Sequence, residues 1–251
     1  ADTDVMLWAK GLATGFNLDV KVREADIWPL AIQGPKAEDL LVKIFNDGIK
    51  NIRFFHSKKM IYADKEFLVA RSGWSKQGGF EIYVDDPEIG VKLWDELFLK
   101  GEEMNVRAGC PNLIERIESG LLSFGGDMDY DTSPLECGLD QYVSLEADIE
   151  SLSIEALRRR TLKTKLMGIV IDQQIKLKDL RLYSGDKKIG FLTSNTWSPK
   201  YNRHLAFAKC DINHISKKQD YYVISSTGEV PAIITELPFN FESLGLYAST
   251  K

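Results

Sequence analysis

Cysteine and histidine are both scarce, with three of each in 251 residues. Cys110, Cys137 and Cys210 are widely spaced and odd in number, which excludes a disulfide framework and a Cys-x-x-Cys zinc or redox site. They read as buried or idle thiols. His56, His204 and His214 are too scattered for a metal-ligand spacing, and no His-Glu-x-x-His is present, so no metal is expected. A Walker A loop, a Gly-x-Gly-x-x-Gly after a strand and a Gly-x-Ser-x-Gly elbow are also missing. No run approaches the ~18 apolar residues that span a bilayer, and the N-terminus lacks the basic-then-apolar layout of a signal peptide. A cytoplasmic chain without membrane contact is expected. Basic excess is absent too: 32 Lys+Arg against 37 Asp+Glu leave a net charge of −5 and no electrostatic footprint for nucleic acid. Internal repeats and low-complexity tracts are not seen.

What the chain has is an ordinary globular composition, 44% hydrophobic and 10% aromatic, enough for one large domain or two smaller ones. Val5–Ala13 reads as a helix that begins without a start methionine or a lead-in strand, as expected of a fragment. Leu18–Arg23, Ile27–Gln33, Ile52–His56 and Glu66–Ser72 read as strands. Gly34-Pro35 opens a helix carrying Leu40, Leu41, Ile44 and Phe45 that stops at Asn46-Asp47-Gly48, and Pro87 begins another with Val91, Trp94 and Leu97 on one face. A further helix follows Cys110-Pro111, with proline at its start and Leu113, Ile117 and Leu121 on one side. Asn112, Glu115, Arg116 and Ser119 fall on the other. A short helix through Ala156–Arg160 precedes β-rich runs at Met167–Ile171, Leu180–Tyr183, Ile189–Thr193, Tyr221–Ile224 and Val230–Thr235. The reading is α+β, with a boundary near Glu150 that separates residues 1–150 from a small all-β barrel or sandwich in 151–251.

The most informative segment runs from Arg71 to Val84. Alternation after its glycine turn puts Phe80, Ile82 and Val84 on one face of a strand and Glu81 and Tyr83 on the other, with Trp74 across the turn. A carboxylate can accept paired hydrogen bonds from an amide N–H and an exocyclic amine, as on a pterin, while aromatics stack on a ring or face a cation. The pattern by itself favours an ordinary strand with one polar face. Arg116 could reach a ligand carboxylate, or pair with Glu115 or Glu118 on a solvated helix face, and the pattern favours pairing. Arg158-Arg159-Arg160 with Lys163 and Lys165 reads as a solvated basic face.

The order of motifs resembles the folate-dependent aminomethyltransferases, the T-protein of the glycine cleavage system and its relatives. Gln33-Gly34-Pro35-Lys36-Ala37 resembles the family's Gln-Gly-Pro-x-Ala, Arg71 to Glu81 its Arg-x-Gly-Tyr-Thr-Gly-Glu-x-Gly-x-Glu, and Arg116-Ile117-Glu118-Ser119-Gly120-Leu121 its Arg-Leu-Glu-Ala-Gly-Leu. Related sequences recur at Gly125–Met128, Ser133–Leu139, Gly190–Ser194 and Trp197-Ser198-Pro199. Trp74-Ser75-Lys76-Gln77 replaces the family's Tyr-Thr-Gly-Glu, and Cys110-Pro111-Asn112-Leu113 its Gly-Ala-Arg-Asp. In both places the chain is similar to one branch, the dimethylsulfoniopropionate demethylases of marine bacteria.

This resemblance implies a cloverleaf of three domains around a tetrahydrofolate channel, closed by a small C-terminal β barrel. It implies an N-terminal section before Val5, here lacking, that carries the main acidic residue near the reacting folate nitrogen. It further implies methyl transfer from the sulfonium to tetrahydrofolate, with Glu81 gripping the pterin and Trp74 and Tyr83 bounding the pterin and sulfonium sites as catalytic residues. Arg116 is a candidate for the folate glutamate tail. The expected partner is a small-molecule sulfonium, with a homo-oligomer possible. Aminomethyl transfer from a lipoyl carrier and non-catalytic folate binding are the alternatives, the latter disfavoured because Arg71–Gln77 lacks the cysteine motif of assembly-type relatives.

Overall fold

In the computed structural model, residues 2–110, 112–216 and 219–247 are described. Pro111, expected at a helix start, lies outside them. By packing the chain divides into two units, residues 1–73 with 77–108, and residues 74–76 with 109–251.

The first unit is built on an antiparallel sheet. Strands β1 (Trp28–Gln33), β2 (Ser57–Tyr62), β3 (Lys65–Ala70) and β4 (Gly79–Val84) lie in the order β1-β4-β3-β2. The expected alternation holds: Phe80, Ile82 and Val84 are buried, Glu81 and Tyr83 only partly so. Two helices, α2 (Ala37–Phe45) and α3 (Pro87–Gly101), enter the same core through Leu40, Leu41 and Phe45 and through Leu93 and Leu97. Asp86 caps α3 by accepting from the N–H groups of Glu88 and Ile89, both at 3.1 Å. The Ile89 N–H bond, with the Lys65 ammonium, holds the Asp86 carboxyl below its ordinary range against the opposing effect of desolvation. Helix α1 (Asp2–Gly15) precedes the sheet, with Val5, Leu7 and Trp8 exposed.

Three expectations fail in this unit. Leu18–Arg23 alternates but forms no strand, because no neighbouring strand supplies its hydrogen bonds. Ile52–His56 is a turn, and pairing begins one residue later in the lysine-rich β2. The buried stripe of α3 is Leu93, Leu97 and Gly101, whereas Val91 and Trp94 face outward. An i, i+4 spacing ending at a small residue packs closer than the Val91–Trp94 stripe: a Cβ on Gly101 would lie 2.3 Å from Val106.

The second unit begins at α4 (Leu113–Glu118), capped by the Asn112 side chain on the Glu115 N–H at 2.8 Å. Residues 109–150, which the sequence reading places in the N-terminal part, pack with this unit. After α5 (Ile154–Arg159) come β5 (Thr164–Ile171), β6 (Leu177–Ser184), β7 (Lys187–Ser198), β8 (Arg203–Asp211), β9 (Tyr221–Ser225) and β10 (Gly228–Thr235). They close a barrel in the order β10-β5-β8-β7-β6-β9, which leaves no free edge. Met167, Ile169, Ile171, Ala206 and Ala208 fill one cluster, while Leu166, Val170, Leu205 and Phe207 turn to the other side and meet Ile117 of α4.

Candidate functional site

The face of the first unit's sheet opposite its core carries Glu81 and Tyr83. In register, Glu81 stands between Ala31 of β1 and Ala70 of β3, so small neighbours leave its carboxylate room on both sides. Tyr83 stands between Pro29 and Leu68. The Ser72 hydroxyl donates to Glu81 Oε2 and fixes one oxygen of the carboxylate. Glu81 is thus half-buried, bonded to Ser72 and flanked by alanines.

The loop that brings Ser72 to this face is built around Gln33. Gln33 Nε2 donates to the Ser72 carbonyl at 3.1 Å and to the Phe80 carbonyl at 3.4 Å. Gly73 and Gly79 have φ of +150° and +157°, and a Cβ on either would strike the Gln33 carboxamide, at 2.1 and 2.6 Å. Arg71 anchors the start of the loop through Glu38 at 2.8 Å, the Ile52 carbonyl at 3.2 Å and the Phe80 ring.

Trp74 groups with the second unit, where its ring lies over the Arg116 guanidinium at 5.7 Å. Arg116 is not on a solvated face. It is buried, lies over the Phe207 ring as well, and donates to Asp127 Oδ2 at 2.6 Å, to the Leu121 carbonyl at 3.0 Å and to Ser194 Oγ at 2.5 Å. Neither Glu115 nor Glu118 is its partner among these contacts; Glu118 accepts instead from Ser198 at 2.6 Å. A six-residue helix buried on the Ile117 side has room for an inward Arg116 because Asp127 neutralises it. Asp127 is completed by Ser194 Oγ and Thr193 Oγ1, both at 2.6 Å, and by the Ser123 N–H at 2.9 Å.

The basic run is likewise more than a solvated face. Arg158 donates to the Leu145 and Ala147 carbonyls at 2.6 and 3.0 Å, and Arg160 reaches Glu136 at 2.8 Å and the Asp131 carbonyl at 2.7 Å. Burial opposes ionisation of Glu136. The Thr164 hydroxyl, the Ser133 N–H and Arg160 outweigh it and hold the carboxyl at about 2. His204 is buried in the barrel with Nε2 on Asn195 Oδ1 at 3.0 Å, and desolvation lowers its pKa.

The structure thus brings Glu81 together with Tyr83, and Trp74 together with Arg116. Reading the sequence for site residues passes over Ser72, Gln33, Asp127 and Ser194. All four sit inside motifs that resemble the family's, but their roles depend on hydrogen bonds that spacing does not show.

Residues 1–147 match the GCVT N-terminal domain and residues 164–240 the glycine cleavage T-protein C-terminal barrel domain. The chain belongs to the glycine cleavage T-protein family. It is 38% identical, over 94% of its length and 66% of the relative's, to the dimethylsulfoniopropionate demethylase of Ruegeria pomeroyi. It is 29% identical to the aminomethyltransferase of Alkaliphilus metalliredigens, over 92% of this chain and 64% of that one, and 32% identical to that of Bacillus cereus strain 03BB102, over 91% and 63%. The crystal structure of the glycine cleavage aminomethyltransferase T from Bartonella henselae has the same fold, with a TM-score of 0.74 at 20% identity over 95% of this chain and 65% of that one. The chain therefore spans less than two thirds of the length of the curated relatives it matches.

Proposed function

We propose that this chain belongs to a tetrahydrofolate-dependent methyltransferase that takes its methyl group from the sulfonium of dimethylsulfoniopropionate. The observation that carries the reading is its 38% identity to a relative with that name, against 29% and 32% for the aminomethyltransferases. The departures at Trp74–Gln77 and Cys110–Leu113 support it, since they fall where the demethylase branch resembles this chain.

The residues present fit a folate. Glu81, held by Ser72 between two alanines, would accept from the pterin amide and its exocyclic amine. Bound tetrahydrofolate would supply the nucleophilic nitrogen N5 as methyl acceptor. Trp74 presents an aromatic face, 40% exposed, that favours a cation. Tyr83 supplies an aromatic ring on the same strand face as Glu81. The work left to the protein is positioning and electrostatics, because a sulfonium methyl is already activated by its neutral thioether leaving group.

The test compares donors. With tetrahydrofolate, the protein should methylate from dimethylsulfoniopropionate and not accept an aminomethyl group from a lipoyl carrier. The reverse preference makes it an aminomethyltransferase, and folate binding without turnover on either donor makes it a binding protein.

A further inference from the structure

We propose that Arg116 is a positioning residue that fixes the Trp74 ring, and that Asp127 neutralises it so that the ring can still receive a cation. This rests on the reading above, in which Trp74 bounds the sulfonium.

A buried guanidinium is expensive, and an ion pair inside a protein is weak evidence for stability. Arg116 is 5% exposed and Asp127 2%, so the pair is held where apolar side chains would pack at least as well. Its hydrogen-bond partners are internal: Asp127, Ser194 and the Leu121 carbonyl accept from the guanidinium, which also lies over two aromatic rings. Those rings are Phe207 at 5.6 Å and Trp74 at 5.7 Å. Phe207 is fully buried in the cluster that joins the barrel wall to Ile117 of α4, so Arg116 links Trp74 to a closely packed part of its own unit. The same helix end holds the next residue as well, since the Ser119 hydroxyl donates to the Ser75 carbonyl at 3.3 Å. Ser75 is itself buried. Two contacts from adjacent turns, one to the indole and one to the following backbone, define the Trp74 rotamer.

The charge balance follows from the same geometry. A cation over one side of an aromatic ring disfavours a second cation on it, because both draw on one quadrupole. Asp127 Oδ2 lies 2.6 Å from the guanidinium and cancels most of its field, and three further donors keep that carboxylate in place. The ring is thereby ordered by a cation whose charge is spent elsewhere.

The test uses Arg116→Lys, which keeps the charge but loses the guanidinium over the ring, and the milder Ser119→Ala, which removes only the Ser75 contact. Trp74→Phe supplies the reference. In the near-ultraviolet circular dichroism spectrum, the band that Trp74→Phe removes should be largely lost in Arg116→Lys and reduced in Ser119→Ala. KM for dimethylsulfoniopropionate should rise about tenfold in Arg116→Lys and about threefold in Ser119→Ala, in each case by a larger factor than any fall in folate affinity. Combining either substitution with Trp74→Phe should add little further. An intact Trp74 band in both variants overturns the proposal, as does an equal fall in folate affinity and kcat without a change in KM. If the protein turns over no sulfonium, the function reading fails, and the band alone still decides whether Arg116 orders Trp74.

Discussion

Gly79 lies so close beneath Gln33 that a β-carbon on it would come within 2.6 Å of the carboxamide. Its φ of +157° is also one that other residues rarely adopt. Gln33 in turn holds the Ser72 carbonyl, and Ser72 holds Glu81, so the glycine is the first link in a chain that ends on the site carboxylate. Gly79→Ala should lower stability by about 1–3 kcal/mol in chemical denaturation and weaken folate binding as well.

Glu81 itself contributes little to folding, being half-buried between alanines. Glu81→Ala should leave the denaturation midpoint nearly unchanged and weaken tetrahydrofolate binding by roughly tenfold or more, the scale of a lost charge-assisted pair. Calorimetric titration measures this; unchanged affinity would remove the carboxylate from the folate site.

Glu136 sets an acid limb of stability. Its carboxyl lies at about 2 in the folded chain against an ordinary 4.5. A depressed carboxylate stabilises the fold above its unfolded pKa, and that contribution fades as pH falls through 4.5 towards 2. It is worth up to roughly 3 kcal/mol. Glu136→Gln should lower stability at pH 7 and flatten its fall between pH 5 and 2 in urea denaturation.

The three thiols should separate cleanly by burial. Cys110 is exposed, whereas burial raises the Cys137 thiol and pushes Cys210 up to about 12. Ellman's reagent should modify Cys110 in the native protein and all three once it is denatured. Rapid native modification of Cys210 would contradict its place in the barrel core.

Much of this was legible in the chain, for definite reasons. Alternation at Phe80–Val84 separates the buried face from the partly exposed one, because a one-residue slip would bury Glu81. The proline and glycine punctuation located α2 and α3, and the C-terminal β runs closed into the expected barrel. Strand β8 escaped notice although it is among the most buried: Ala206 and Ala208 are poor strand formers, and a strand buried on both sides shows no alternation. Arg116 was misplaced because an arginine's burial depends on a partner eleven residues away. Neither Asp127 nor Ser194 declares that pairing in sequence.

The most direct measurement is of products. The protein is incubated with tetrahydrofolate and dimethylsulfoniopropionate, and both 5-methyltetrahydrofolate and methylthiopropionate are quantified. Equal amounts of the two, lost together in Glu81→Ala, are the predicted result. Folate binding with neither product formed would contradict methyl transfer from the sulfonium.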